Sequence, residues 1–269
     1  MLFITAADHK FYFFLPYMVG QIERLFPKAK FIVYDLGLEE QERLQLNKWG
    51  AEVRKWHIGP GDPVMGPNYY PRALHKPSMI LDALKRSPNE YAVYLDADAI
   101  PSRDFKMPLD FDVAVTLVNQ YDLSVLEAKP EIEYNGIFNT GVMLFGRSKR
   151  RLAFVEEWTD RLDKSDYLES DQRIAWLLLE EMEGFNRQEY NVTRILKVRD
   201  ESVRIRILEA EVWNMFALRA SFLRGEKRVH PDDVNVLHFK GHSMHNPADF
   251  RNCMKMGQIP LETKGVPLC

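Results

Sequence analysis

Two carboxylates, Asp96 and Asp98, stand two residues apart at the end of an apolar, aromatic-rich run, Tyr91-Ala92-Val93-Tyr94-Leu95. Residues i and i+2 of a strand share a face, so an ion at the strand's end could meet both. Hard divalent cations take such oxygen ligands. In an open α/β sheet, ligands collect beyond the carboxyl ends of the strands, where this pair would sit. The competing reading is a turn, in which Asp is a favoured residue. Far downstream, His238 ends a second apolar run, Val234-Asn235-Val236-Leu237, and its imidazole could complete a metal shell. A hydrogen-bonded core histidine is the alternative there. Gly241, three residues on, would let the backbone approach a phosphate.

Other polar groups occupy similar positions. Asp8 follows a strand-like Leu2-Phe3-Ile4-Thr5 and the small Ala6-Ala7, which leave room for a nucleobase against the backbone. It could equally cap the next helix. Asn139 interrupts an apolar run and needs a partner to offset its burial. Asp171 precedes Gln172-Arg173-Ile174 and could be a helix cap. The basic run Arg147-Ser148-Lys149-Arg150-Arg151 reads as a solvated helix start.

Strand and helix patterns alternate through the first half of the chain, as in a mostly parallel sheet covered by helices. Leu2 to Ala6, Phe31 to Tyr34 and Ala51 to Trp56 read as strands. Helices are expected from Leu15 to Phe26, with Pro16 in the first turn, and from Glu39 to Trp49, closed by Gly50. The Gly- and Pro-dense stretch from Gly59 to Pro71 reads as a mobile loop before a helix from Arg72 to Leu84. After the acidic pair, Val113 to Val118 and Gly136 to Phe145 are strand-like, the second broken by Asn139-Thr140-Gly141. Helices follow near Lys149 to Leu162 and Asp171 to Met182, then extended segments at Val203 to Val212 and Val234 to Phe239. No linker separates autonomous domains.

Length and composition suit one such domain: 269 residues, 46% hydrophobic, with a net charge of −3 that leaves no footprint for nucleic acid. The longest apolar stretches fall short of the ~20 residues of a membrane span. With no signal-peptide pattern at Met1 and only Cys253 and Cys269, a reducing, cytoplasmic setting is expected.

The ordered series of segments resembles the GT-A fold of nucleotide-sugar glycosyltransferases, particularly glycosyltransferase family 8. The segments are Thr5-Ala6-Ala7-Asp8, Val33-Tyr34-Asp35-Leu36-Gly37-Leu38, Tyr94-Leu95-Asp96-Ala97-Asp98, Phe138-Asn139-Thr140-Gly141-Val142-Met143-Leu144, Ser170-Asp171-Gln172, Val212-Trp213-Asn214 and His238-Phe239-Lys240-Gly241. The resemblance implies a single α/β domain with a Rossmann-like, mostly parallel sheet, residues 1–118 forming a nucleotide-binding half and 119–269 an acceptor-side half. It implies Mn²⁺ or Mg²⁺ held by Asp96, Asp98 and His238, a UDP-sugar donor, a glycan, glycoside or glycoprotein acceptor, and retention of anomeric configuration. By the same resemblance Asp8 meets uracil, Asp96 also reaches the ribose, and Thr5, Ala6, Ala97, Lys76, Lys240 and Gly241 contact the donor. Asn139, Asp171 and Gln172 would line the sugar; for Lys76 an exposed helix lysine is the competing reading. The family continues after His-x-x-Gly to Lys-Pro-Trp, whereas here Ser243-Met244-His245-Asn246-Pro247 follows, so Lys240, His242 or His245 would replace the phosphate-binding lysine. The loop from Gly59 to Pro71 is expected to close over donor.

Two other functions stay open. A phosphatase of the haloacid dehalogenase type also uses Asp-x-Asp, although there the motif ends the first strand and a Thr follows, where this chain has Ala99 and Ile100. A catalytically silent nucleotide or sugar binder on the same fold is the other.

Overall fold

A computed structural model describes residues 1–57, 74–108, 110–117, 138–165, 171–185, 190–216 and 234–239. In chain order, the elements begin with β1 (Leu2–Ala7), a 3-10 helix (His9–Phe14), α1 (Leu15–Leu25), β2 (Lys30–Asp35), α2 (Glu40–Lys48) and β3 (Glu52–Lys55). Then come α3 (Lys76–Arg86), β4 (Ala92–Leu95), β5 (Ala99–Pro101), β6 (Val113–Leu117), β7 (Phe138–Phe145), α4 (Arg150–Lys164) and α5 (Asp171–Glu180). The last described elements are β8 (Thr193–Val198), β9 (Glu201–Leu208), α6 (Ala210–Trp213), β10 (Met215–Phe216) and β11 (Val236–His238). The architecture is α/β, a mixed eight-stranded sheet flanked by helices with a separate three-stranded sheet.

The chain divides into two compact units whose segments interleave. Unit 1 comprises Met1–Lys55, Leu95–Lys106 and Ala210–Cys269; unit 2 comprises Trp56–Tyr94 and Met107–Glu209.

In unit 1, β3, β2 and β1 lie side by side and parallel. β1 and β2 are apolar almost throughout and buried on both faces, as helix-covered parallel strands require. α1 tolerates Pro16 because it falls in the first turn, where the missing N–H has no helical partner to lose. A capping box starts α2: the Glu39 N–H donates to Glu42 Oε2 at 2.8 Å, and the Glu39 side chain accepts in return. Gly50, at φ 86°, supplies the left-handed residue after its end. The small sheet runs β10-β11-β5, with β10 parallel to β11 and β5 antiparallel to it. Ile100, Met215, Val234, Leu237 and Phe239 bury against Phe14, with Phe11, Phe13 and Tyr17 half-buried at the margin, so the 3-10 helix and α1 back the strand that ends at His238.

In unit 2 the strand order is β4-β7-β6-β9-β8. β6 is antiparallel to β7 and parallel to β9, and β8 and β9 form an antiparallel pair. α3 packs on α4, α4 on β9 and α5, and α5 on β7. The basic run does not behave uniformly. Arg147, Lys149 and Arg150 are exposed as expected, but Arg151 is 1% exposed and gives its guanidinium to the carbonyls of Glu90 (2.5 Å), Ser87 (2.9 Å), Pro88 (3.1 Å) and Gly146. Burial pushes its pKa down to about 10, so it stays charged at neutral pH while tying the end of β7 to the turn after α3. The extended segment expected to reach Val212 stops at Leu208, where the chain enters α6.

Candidate functional site

β4 ends at Leu95, so the two acids do not alternate along a strand: Asp96, Ala97 and Asp98 make the turn into β5, closed by Ala99 N–H donating to Asp96 O at 2.9 Å. The carboxylates nevertheless converge. Ligand atoms of Asp96, Asp98 and His238 lie within 4.8 Å of one another. Backbone pairing sets this up, since His238 is opposite Ala99 in the β11–β5 ladder and Phe239 N–H donates to Asp98 O at 2.8 Å. His238, 3% exposed, presents Nε2 to Asp98 Oδ1 at 3.2 Å and Nδ1 to Asn214 Oδ1 at 2.8 Å. Two carboxylates and an imidazole are a donor set that suits Mn²⁺, with Mg²⁺ favouring the oxygens. The residues present therefore fit a divalent ion.

A second group of sequence-predicted residues meets inside unit 2. Lys76 is buried, 6% exposed, which answers the exposed-lysine alternative. Its ammonium donates to Thr140 Oγ1 at 2.9 Å and lies 3.2 Å from Asp171 Oδ2, while Thr140 donates to the same Oδ2 at 2.8 Å. The ammonium also stands 5.4 Å from the centroid of the Tyr94 ring. Asp171 opens α5, where a carboxylate suits the helix dipole, and Trp158 Nε1 holds its carbonyl at 2.8 Å. Gln172 beside it is half-buried.

The Asn139-Thr140-Gly141 break has a structural cause. Val115 of β6 pairs with Met143 of β7, yet the next residue, Thr116, pairs with Asn139, which leaves Thr140, Gly141 and Val142 without partners on β6. Asn139 Oδ1 accepts the Gly141 N–H at 2.8 Å, replacing a lost ladder bond. The bulge frees Thr140 to join Lys76 and Asp171. Sequence reasoning named this tripeptide but missed that Thr140 is the joint; a hydroxyl within an apolar run is the signal available for it.

Asp8 caps the 3-10 helix, accepting the Phe11 N–H at 3.1 Å. Ala6 is half-buried, and Thr5 is wholly buried with its Oγ1 lacking a hydrogen-bond partner among the described residues. Lys240, Gly241, His242, His245 and the loop from Gly59 to Pro71 lie outside the described residues. Sequence reasoning also missed a cluster of His9, Glu39 and Glu42 with ligand atoms equally close, but there Glu42 already caps α2 and bonds His9 Nδ1 at 2.8 Å. Met143, Met182 and Met215 are core, as expected.

No protein-family model matches the chain, and no curated protein matches it. Solved structures do. The galactosyltransferase LgtC, in complex with donor and acceptor sugar analogues, is similar at a TM-score of 0.58 and 17% identity, over 100% of this chain and 98% of that one. GlyE of Streptococcus pneumoniae TIGR4 is similar at 0.52 and 16% identity, over 90% of this chain and 55% of that one. The bifunctional glycosyltransferase WbbM gives 0.53 at 13% identity, over 97% of this chain and 50% of that one. The fold is thus the GT-A type found in glycosyltransferases. No helix among the described residues is long and apolar enough to cross a membrane.

Proposed function

We propose that the chain is a metal-dependent glycosyltransferase moving a sugar from a nucleoside diphosphate sugar, specifically a UDP-sugar, to a hydroxyl of a glycan, glycoside or glycoprotein in a cytoplasmic setting. The observation that carries this reading is the convergence of Asp96, Asp98 and His238 within 4.8 Å on a fold shared with a galactosyltransferase crystallised with donor and acceptor analogues.

Asp96, Asp98 and His238 would hold Mn²⁺ or Mg²⁺, which when bound would neutralise charge on the departing diphosphate. Asp96 would also meet the ribose. Thr5, Ala6, Asp8 and Ala97 would line the nucleoside, and Lys240 and Gly241 the phosphates, as the resemblance implies. Asn139, Asp171 and Gln172, with Lys76, would address the sugar. Structures of LgtC include an active-site glutamine-to-glutamate mutant, which supports giving an active-site role to a glutamine in this fold, here Gln172.

In the proposed reaction the acceptor oxygen bonds to the anomeric carbon from the face that the diphosphate leaves. The carbon–oxygen bond to diphosphate breaks, and a phosphate oxygen takes the hydroxyl proton, so configuration is retained. The alternative route needs a protein nucleophile. An amide such as Gln172 is a poor one, and Asp171 Oδ2 is engaged by both Lys76 and Thr140, which supports its use in ordering sugar hydroxyls.

A thermal-shift panel of nucleoside diphosphates and nucleotide-sugars, each with and without Mn²⁺, tests the reading. A ligand at 100 times its Kd adds about 2.7 kcal/mol to native stability. UDP and UDP-sugars should raise the melting temperature only with the metal, ahead of GDP and ADP. Absence of any metal-dependent nucleotide shift, or release of phosphate from an aryl phosphate ester, would overturn it.

A further inference from the structure

His238 has two ring nitrogens, and only one can face the acidic pair. Nε2 does so, 3.2 Å from Asp98 Oδ1. Nδ1 is turned to Asn214, which stands between α6 and β10. Both side chains are buried, His238 at 3% and Asn214 at 4% exposure. Asn214 is placed from two sides: its N–H donates to Ala210 O at 2.8 Å, and β10, which begins at the next residue, pairs in parallel with β11, Phe216 opposite His238.

We infer that Asn214 is a positioning residue that holds His238 through Nδ1–H, so that Nε2 is the ring atom turned to Asp98. An amide oxygen can only accept, so the nitrogen 2.8 Å away must carry the hydrogen. A neutral imidazole with Nδ1–H keeps its lone pair on Nε2. In the neutral ring that lone pair is the one available to a cation bound between Nε2 and Asp98 Oδ1. Holding the ring by its far nitrogen is the usual way in which a metal-binding histidine is oriented, and loss of such a partner typically weakens metal affinity by about 10- to 100-fold. The inference rests on the metal centre proposed above, but the contact of Nδ1 with Asn214 can be tested with or without an ion. The two can fail separately.

The experiment uses the full chain, metal-free and labelled with ¹⁵N-histidine, at about pH 8, where a free imidazole is neutral. Two-bond ¹⁵N–¹H correlation spectra distinguish the tautomers. Wild type should show His238 as Nδ1–H; Asn214→Leu, similar in volume but with no acceptor, should shift it toward Nε2–H. Asn214→Asp, which still accepts, should keep the wild-type pattern. Mn²⁺ alone, followed by loss of the free-ion electron paramagnetic resonance signal, should bind about 10- to 100-fold more weakly to Asn214→Leu. Asn214→Asp should restore binding. A neutral Nε2–H tautomer in wild type overturns the inference without any variant, as does an Asn214→Leu protein with unchanged ring signals and Mn²⁺ affinity. A wild type with the Nδ1–H tautomer that takes up no Mn²⁺ supports the role of Asn214 and overturns the metal centre instead.

Discussion

The ammonium of Lys76 lies 3.2 Å from Asp171 Oδ2 in a buried ion pair bridged by Thr140 Oγ1. Removing one partner of such a pair strands a charge and typically costs about 3–5 kcal/mol, whereas apolar replacement of both is often near neutral. Lys76→Met and Asp171→Leu should each lower the urea midpoint. The double variant Lys76→Met/Asp171→Leu should lose clearly less than their sum; agreement with the sum to within about 0.5 kcal/mol would mean no coupling. Under the proposed function, Asp171→Asn should also reduce turnover far more than UDP affinity, because the contacts it loses concern the sugar.

Under the proposed function, Asp98→Ala should abolish the Mn²⁺-dependent part of the UDP thermal shift and leave the circular dichroism spectrum unchanged, since it removes one carboxylate from the turn between β4 and β5. His9→Ala, in the other cluster of possible ligands, should leave that shift intact, because Glu42 there is committed to capping α2. Equal loss in both variants would count against the assignment of the ion to Asp98.

Asn139→Leu should destabilise the protein by about 1–3 kcal/mol, the cost of leaving the buried Gly141 N–H without its acceptor. Asn139→Asp keeps an acceptor and should lose less. Hydrogen exchange at the Gly141 amide reports the change directly, speeding in the leucine variant; an unaltered rate would show that another group holds this amide.

Acid should act through Asp112. Burial pushes its carboxyl upward, but the Arg204 side chain (3.0 and 3.3 Å) and backbone N–H (2.8 Å) more than offset this, and the net pKa lies below the ordinary value. A carboxylate depressed in the folded state contributes stability above its unfolded pKa of about 4, and loses it as pH falls through the lower folded value. Asp112→Asn should therefore be less stable than wild type at pH 7 and lose less stability on going to pH 3. Parallel curves of urea midpoint against pH would refute the linkage.

Arg151→Met should cost about 3–5 kcal/mol, the range seen when a buried charged network loses its centre, because several carbonyls lose their donor together. Mn²⁺ affinity per folded molecule should not change. A stable Arg151→Met protein would show that water replaces the guanidinium.

Much of this was legible in the residues. Apolar runs and punctuation located β1, β2, β4, α1 and α2, and Gly50 marked an end that its φ of 86° explains. The acidic pair and His238 were found from type and position, although the geometry joining them is a turn and an antiparallel ladder, which i and i+2 spacing does not encode. β8 was missed because Thr193-Arg194-Ile195-Leu196-Lys197-Val198 shows no clean apolar alternation: Ile195 is exposed while the adjacent Leu196 is buried. The burial of Arg151 and Lys76 escaped because a long cationic side chain is usually solvated, and only tertiary structure reveals which carbonyls or carboxylate will receive it. The three-residue slip opposite β6 was marked within β7 by Asn139-Thr140-Gly141, but its size depends on the partner strand.

The interleaving of the two units orders events during synthesis. Unit 2 has all of its chain once Glu209 has been made, while unit 1 waits for the segment that starts at Ala210. Chains made from the amino terminus tend to fold each part as it becomes available. The ribosome thus delivers the Lys76–Thr140–Asp171 group whole while Asp96 and Asp98 still lack their imidazole, which arrives with β11, the last described element. A nascent chain stalled before His238 would carry all of unit 2 and an acidic turn without the imidazole that converges on it.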